Sequence, residues 1–120
     1  MKQENIILSK SFEFSVRIVK LYKYLCDEKK EYILSKQLLR CGTSIGANIN
    51  EAQAGQSKND FISKMSIASK EAREAKYWVD LLIATGYLSI DDSHVKSLVN
   101  DIEEIVKLIT SIVKSTQANK

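Results

Sequence analysis

The sequence predicts an all-α protein, an antiparallel up-down-up-down four-helix bundle in a single domain of 120 residues. Three observations predict this fold class. The chain has no proline, a residue that disrupts helices because it lacks a backbone donor and clashes with the preceding turn. Apolar residues recur at alternating steps of three and four along four segments. The connections between these segments are short, which favours antiparallel neighbours.

The first predicted helix covers residues 9–29 and carries two apolar rows, so its apolar face is wide. One row is Phe14, Ile18, Leu21 and Leu25, and the other is Phe12, Val16, Val19 and Cys26. The polar run 27–31 predicts the turn that follows. Ser35 is the expected N-cap of the second helix, which covers residues 35–54.

The third predicted helix covers residues 59–85 and has the clearest period. Ser57 or Asn59 is expected to cap its start, and Gly86 can take the left-handed conformation that ends it. Its inward row is Phe61, Met65, Ala68, Ala72, Ala75, Val79 and Leu82.

The fourth predicted helix covers roughly residues 92–115, and Asp91 and Ser93 are the two alternatives for its start. One apolar row is Val95, Val99, Ile102, Val106, Ile109 and Val113. A second row of Leu98, Ile105 and Ile112 makes this face wider than one helix contact requires. We expect the extra width to contact a partner subunit.

The second helix contains the segment LLRCGTSIGANINEAQAG, with glycines four residues apart at Gly42 and Gly46. Each glycine costs about 0.5 to 1 kcal/mol of helix stability relative to alanine. Small neighbours at Cys41, Ser44 and Ala47 thin the helix further. The pattern predicts that another helix approaches closely, within one subunit or between two. The alternative is a bare backbone patch that contacts a ligand.

The composition, 44% hydrophobic and 28% charged, is that of a soluble globular protein. No apolar run is long enough for a membrane span or a signal peptide, so we expect a cytoplasmic protein without a membrane partner. Cys26 and Cys41 are expected to be free thiols, with a disulfide as the alternative.

The sequence predicts no catalytic residue, no metal site and no cofactor. His94 is the only histidine, and no glutamate stands three residues before it, which excludes the di-iron site that some bundles hold. Phosphate-loop and dinucleotide motifs are also absent. We expect His94 to be exposed in a first helical turn. An enzyme remains only a third alternative, with groups assembled at an oligomer interface.

The net charge of +3, from 18 basic and 15 acidic residues, permits nucleic-acid binding without requiring it. The candidate contacts on the first helix are Lys10, Arg17, Lys20 and Lys23. They spiral around the helix, but a ring of subunits would multiply a modest basic patch. Trp78, next to Tyr77, points to a flank of the bundle and is assigned equally to core packing or subunit contact.

Residues 37–88 resemble the four-helix-bundle family encoded in intervening sequences of bacterial 23S rRNA genes. The motifs that carry the resemblance are SIGANINEA, SKNDF, ASKEA, YW and GYL. The resemblance implies an antiparallel bundle that assembles into homopentameric rings. It also implies kinship with the accessory protein of diversity-generating retroelements, which is associated with a reverse transcriptase and with nucleic acid. It brings no catalytic residues, and it marks Asn48 and Glu51 as hydrogen-bonding groups between helices or subunits.

We therefore expect a non-enzymatic scaffold or adaptor that forms a homopentamer. The alternative is an accessory factor that binds RNA or DNA, with a reverse transcriptase as a further partner by family analogy. The residues expected in helix packing or oligomer contacts are Gly42, Ser44, Ile45, Gly46, Asn48, Glu51, Trp78, Leu98, Ile105 and Ile112.

Overall fold

The computed structural model describes residues 2–119, with side chains from Asn5 onward, and this part of the chain contains four α-helices and no strand. The helices are α1 (Lys2–Asp27), α2 (Leu34–Ala52), α3 (Lys58–Ala84) and α4 (Ser93–Ala118). Each helix packs against the next one, and α1 packs against α4 to close the bundle. The predicted all-α four-helix bundle is confirmed.

The helix α1 begins seven residues before the predicted start at residue 9. The reason lies in the apolar residues before that position, because Ile7 is fully buried and Leu8 packs against the core. Burial of these apolar residues stabilises the two added turns beyond their local helix propensity. The other helix bounds differ from the predicted ones by one to three residues.

All four helices contribute to one hydrophobic core. On α3 the predicted row from Met65 to Leu82 is buried, and Phe61 is half-buried. On α4 the prediction was wrong about which row is left over. The second row, Leu98, Ile105 and Ile112, is only 4%, 0% and 3% exposed in a single chain. Because α4 packs against both α1 and α3, it needs this wide apolar face within the bundle.

The glycine pair of α2 lies against α1, so the expected close approach occurs within one subunit. A Cβ atom at Gly42 would lie 2.9 Å from Cγ1 of the buried Ile18. A Cβ atom at Gly46 would lie 3.3 Å from the backbone oxygen of Ser11 and 3.2 Å from Oγ of Ser15. The dispersion contacts of this close packing offset the local cost of the two glycines.

The start of α2 is capped by Glu31, and not by Ser35 as predicted. Glu31 is only 7% exposed, and its carboxylate accepts hydrogen bonds from the backbone N–H groups of Ile33, Leu34 and Ser35 at 3.2, 3.1 and 2.7 Å. Ser35 is buried in the first turn, where its hydroxyl donates to the backbone oxygen of Glu31 at 2.7 Å. Burial alone would raise the pKa of Glu31, but these hydrogen bonds outweigh it and lower the pKa below its usual value.

We expect Glu31→Gln to lower the free energy of unfolding by about 1 kcal/mol at neutral pH, because an amide replaces a charged acceptor at a helix start. A lowered pKa in the folded state means that the carboxylate stabilises the fold above its ordinary pKa of 4.5. This contribution disappears as the pH falls through the folded-state pKa. Urea unfolding of both proteins at about pH 7 and about pH 3 should show a difference that shrinks in acid.

The matched control is Glu28→Gln, an exposed glutamate in the same turn, which should unfold like the wild type at both pH values. A Glu31→Gln difference that is constant with pH would contradict the assignment of the charged cap.

The remaining helix ends follow the predicted signals closely. Oγ of Ser57 accepts a hydrogen bond from the N–H of Asp60 at 3.1 Å, which selects Ser57 as the cap of α3. The N-cap of α4 is Asp92, which lies between the two predicted helix starts, Asp91 and Ser93. Its carboxylate accepts a hydrogen bond from the N–H of His94 at 2.7 Å. Gly86 has a φ of 88°, so it takes the expected left-handed conformation after α3.

Candidate oligomerisation surface

A row of exposed apolar residues lies on α1. We name Phe12, Val16 and Val19 the α1 stripe; they are 70%, 40% and 37% exposed. They belong to the second apolar row of the first helix, whereas the first row supplies the buried Phe14, Ile18 and Leu25. The contact of α1 with α2 runs through Ser11, Ser15 and the glycine pair, so the bundle does not cover the stripe.

A groove runs beside the α1 stripe, between α1 and α2. It has a volume of about 430 Å³, Phe12 stands on its wall, and the half-buried Gly46 lines it. The hydroxyl groups of the wall bond within their own helices: Ser11 donates to Leu8 O at 3.2 Å, Ser15 to Ser11 O at 3.0 Å and Thr43 to Leu39 O at 2.8 Å. Because these donors are satisfied, the groove can accept an apolar side chain without leaving them unpaired.

An aromatic pair lies on a second surface, on α3. Tyr77 is 59% exposed and packs edge-to-face on Trp78, with ring centroids 5.2 Å apart and an interplanar angle of 78°. Trp78 is half-buried against the core, and its indole N–H donates to Oε2 of Glu74 at 3.1 Å. The same carboxylate pairs with Arg40 of α2. Trp78 therefore serves core packing and still supports the exposed ring of Tyr77.

The motif residues of α2 have three different environments. Ile45 is fully buried in the core, whereas Ser44 and Asn48 are half-buried. Nδ2 of Asn48 donates to O and Oγ of Ser44 at 2.9 and 3.0 Å, so its amide bonds within α2 and not to another helix. Glu51 does join two helices, because Oε1 accepts from Nζ of Lys64 on α3 at 3.1 Å.

The four candidate nucleic-acid contacts do not form one free basic face. Nζ of Lys10 lies 2.6 Å from Glu104, and Arg17 lies 2.6 Å from Asp101, so acids of α4 neutralise both cations. The hydrogen bond to Glu104 raises the pKa of Lys10 above its usual value. In the described part of the chain, Lys20 and Lys23 are exposed and have no ion pair.

The sequence carried one signal for these pairs. Asp101 and Glu104 stand three residues apart on α4, on one face, and meet two cations seven residues apart on α1. The sequence alone does not give the register of α1 against α4, so it could not predict which cation pairs with which acid.

The family model described as 23S rRNA-intervening sequence protein matches residues 3–111 of this chain. The chain belongs to this family. A crystal structure from Bacteroides thetaiotaomicron is 54% identical, with a TM-score of 0.90, and the match covers 93% of this chain and 98% of that chain. That protein is described as one of unknown function from the S23 ribosomal protein family. A comparison with curated proteins finds no match. The resemblance inferred from residues 37–88 is thus confirmed.

This member of the 23S rRNA-intervening sequence protein family shows little reactive chemistry on its described residues. His94 is exposed in the first turn of α4, and no group of three or more His, Cys, Asp or Glu residues there could hold a metal. Cys26 and Cys41 are free thiols. Cys41 is fully buried. Its burial, and to a smaller extent the negative charge of Glu74, raises the pKa of its thiol to about 12, so the thiol stays protonated. None of the described helices meets the length and apolarity needed to cross a membrane.

Proposed function

We propose that this protein is a non-enzymatic scaffold or adaptor in the cytoplasm, and that it assembles into a homopentameric ring. The observation that carries the proposal is the α1 stripe beside the groove between α1 and α2. Exposed apolar surface that continues into a groove is typical of protein interaction sites. Burial of a phenylalanine or valine side chain stabilises an interface by about 1.5 to 3 kcal/mol.

A ring requires two different surfaces on each subunit, because its interfaces are heterologous: one surface of a chain contacts one neighbour, and a second surface contacts the other neighbour. The α1 stripe and the Tyr77–Trp78 pair are two such surfaces. They flank α2 on opposite sides, since α2 packs on α1 through Gly42 and pairs with α3 through Arg40. We assign the stripe of one subunit to the aromatic surface of the next. The number of five comes from the family resemblance.

The second candidate function is a nucleic-acid-binding accessory factor, with a reverse transcriptase as the further partner by family analogy. The observation that favours it is the pair of unpaired lysines, Lys20 and Lys23, on the exposed side of α1. Five copies would place ten such cations on one ring, and phosphate contacts gain affinity from released counterions. Because Lys10 and Arg17 are held in ion pairs, Lys20 and Lys23 would supply the phosphate contacts on α1.

Native mass spectrometry of protein purified without nuclease tests both candidates. We expect a species of five times the chain mass of 13.6 kDa and no bound nucleic acid, as a scaffold requires. Pentamers that carry nucleic acid of heterogeneous mass, which high salt removes, would favour the nucleic-acid-binding accessory factor over the scaffold. A monomer at micromolar concentration would contradict the ring in both versions.

A further inference from the structure

A second cavity lies at the end of the bundle where α1 ends and α4 begins, and none of its lining residues belongs to the α1 stripe. Its volume of about 540 Å³ falls within the range of about 300 to 1,000 Å³ that is usual for small-molecule sites. Leu21, Leu88 and Leu98 give it an apolar wall, and all three also pack on the core. The wall is therefore held in place by the fold.

The α3–α4 connection shapes one side of this cavity. Gly86, in its left-handed conformation, turns the chain back, so that the N–H groups of Tyr87 and Leu88 both donate to Leu82 O, at 2.9 and 3.2 Å. This fixes Tyr87 on the wall, while Tyr24 lines the cavity from α1 and is 44% exposed. Two phenol rings from separate elements thus line one apolar cavity, and flat aromatic ligands pack well on such rings.

The cavity also has an excess of positive charge. Arg17, Lys20 and Lys29 line it, against Asp92 as the acidic residue. Arg17 is committed to Asp101 and to Ser97, and Asp92 is committed to the cap of α4. Lys20 and Lys29 are exposed and have no ion pair in the part of the chain that the structure describes. Two ammonium groups therefore stay available for an anion.

We propose that this cavity binds a small aromatic anion of the nucleoside monophosphate class. Its phosphate contacts Lys20 and Lys29, and its base packs on Tyr24, Tyr87 and the leucine wall. Charge-assisted hydrogen bonds from ammonium groups favour the phosphate, and the apolar wall favours the base. The proposal is separate from the ring, because none of its residues belongs to the α1 stripe or the aromatic pair.

The test is isothermal titration calorimetry of the full-length protein with adenosine 5′-monophosphate. Adenosine and inorganic phosphate serve as comparison ligands. We expect saturable binding of the monophosphate with a Kd below about 1 mM, and binding of adenosine weaker by at least about tenfold. The double variant Lys20→Ala, Lys29→Ala should lose at least about tenfold in affinity for the monophosphate.

The matched control is Lys23→Ala, an exposed lysine on the same helix that does not line the cavity, and it should bind like the wild type. No saturable binding up to about 10 mM, equal affinity for adenosine, or an unaffected double variant would each overturn the proposal. The subunit number of every variant, measured by native mass spectrometry, separates this result from the fate of the ring.

Discussion

Replacement of Phe12 by aspartate is expected to dissociate the proposed homo-oligomer into folded monomers. The side chain is 70% exposed in a single chain, so its loss removes little from the core. In the assembled ring the same position would be buried against a neighbour, and an unpaired carboxylate there costs several kcal/mol. We expect the dissociation constant to rise at least about 100-fold, as at other central interface positions.

The measurement is native mass spectrometry with circular dichroism on the same sample, which should report monomers of unchanged helix content. Ile90→Asp is the matched control, because Ile90 is a 53% exposed apolar residue in the α3–α4 connection, outside both surfaces. It should leave the subunit number unchanged. A Phe12→Asp protein that stays fully assembled would contradict the assignment of the α1 stripe.

A mixing experiment shows whether the two surfaces meet each other. Tyr77→Asp should also give monomers, because it disrupts the aromatic surface of α3. A Phe12→Asp chain keeps its aromatic surface, and a Tyr77→Asp chain keeps its stripe, so an equimolar mixture restores one intact interface. We expect 1:1 heterodimers. An interface in which the stripe meets its own copy would give no such rescue.

Periodicity predicted the fold well because helix packing repeats along the whole chain. The row from Met65 to Leu82 is buried as a unit, and an error at one residue does not change the pattern. Gly86 and Ser57 act within a few residues of their own position, so their roles could also be inferred locally.

The surfaces could not be predicted in the same way, because they depend on which helices meet. Two helices showed surplus apolar rows, and both of these helices pack against two neighbouring helices. Only the rotation of each helix about its own axis decides that the second row of α4 is buried while the α1 stripe stays exposed. Glu31 was missed for a related reason. It stands in a polar run that is typical of a solvated turn, and its burial follows from the way that the turn folds back onto α2.

The cavity between α1 and the α3–α4 connection illustrates the same limit. Lys20 and Lys29 stand on or just after α1, whereas Tyr87 and Leu88 lie 58 to 68 residues later. No short motif joins them. Only the antiparallel order of the helices brings the end of α1 to the start of α4.

Replacement of Gly42 by leucine is expected to lower the free energy of unfolding by about 3 kcal/mol, the scale of an overpacked core. A Cβ atom there would lie 2.9 Å, 3.0 Å and 3.2 Å from the Cγ1, Cγ2 and Cδ1 atoms of Ile18, which is fully buried and cannot swing into solvent. The gain of about 1 kcal/mol in helix propensity is smaller than this penalty. Urea unfolding measures the change, and Lys36→Leu, at an exposed position of the same helix, should leave stability nearly unchanged.

A second substitution tests whether Ile18 is the cause. Ile18→Ala alone should destabilise the protein by about 2 to 5 kcal/mol, because it leaves a cavity in the core. In the double variant the leucine at position 42 occupies that space, since the three closest atoms all belong to the removed side chain. The double variant should therefore be more stable than the sum of the two losses predicts. Strict additivity would mean that the glycine is required for a contact other than the one with Ile18.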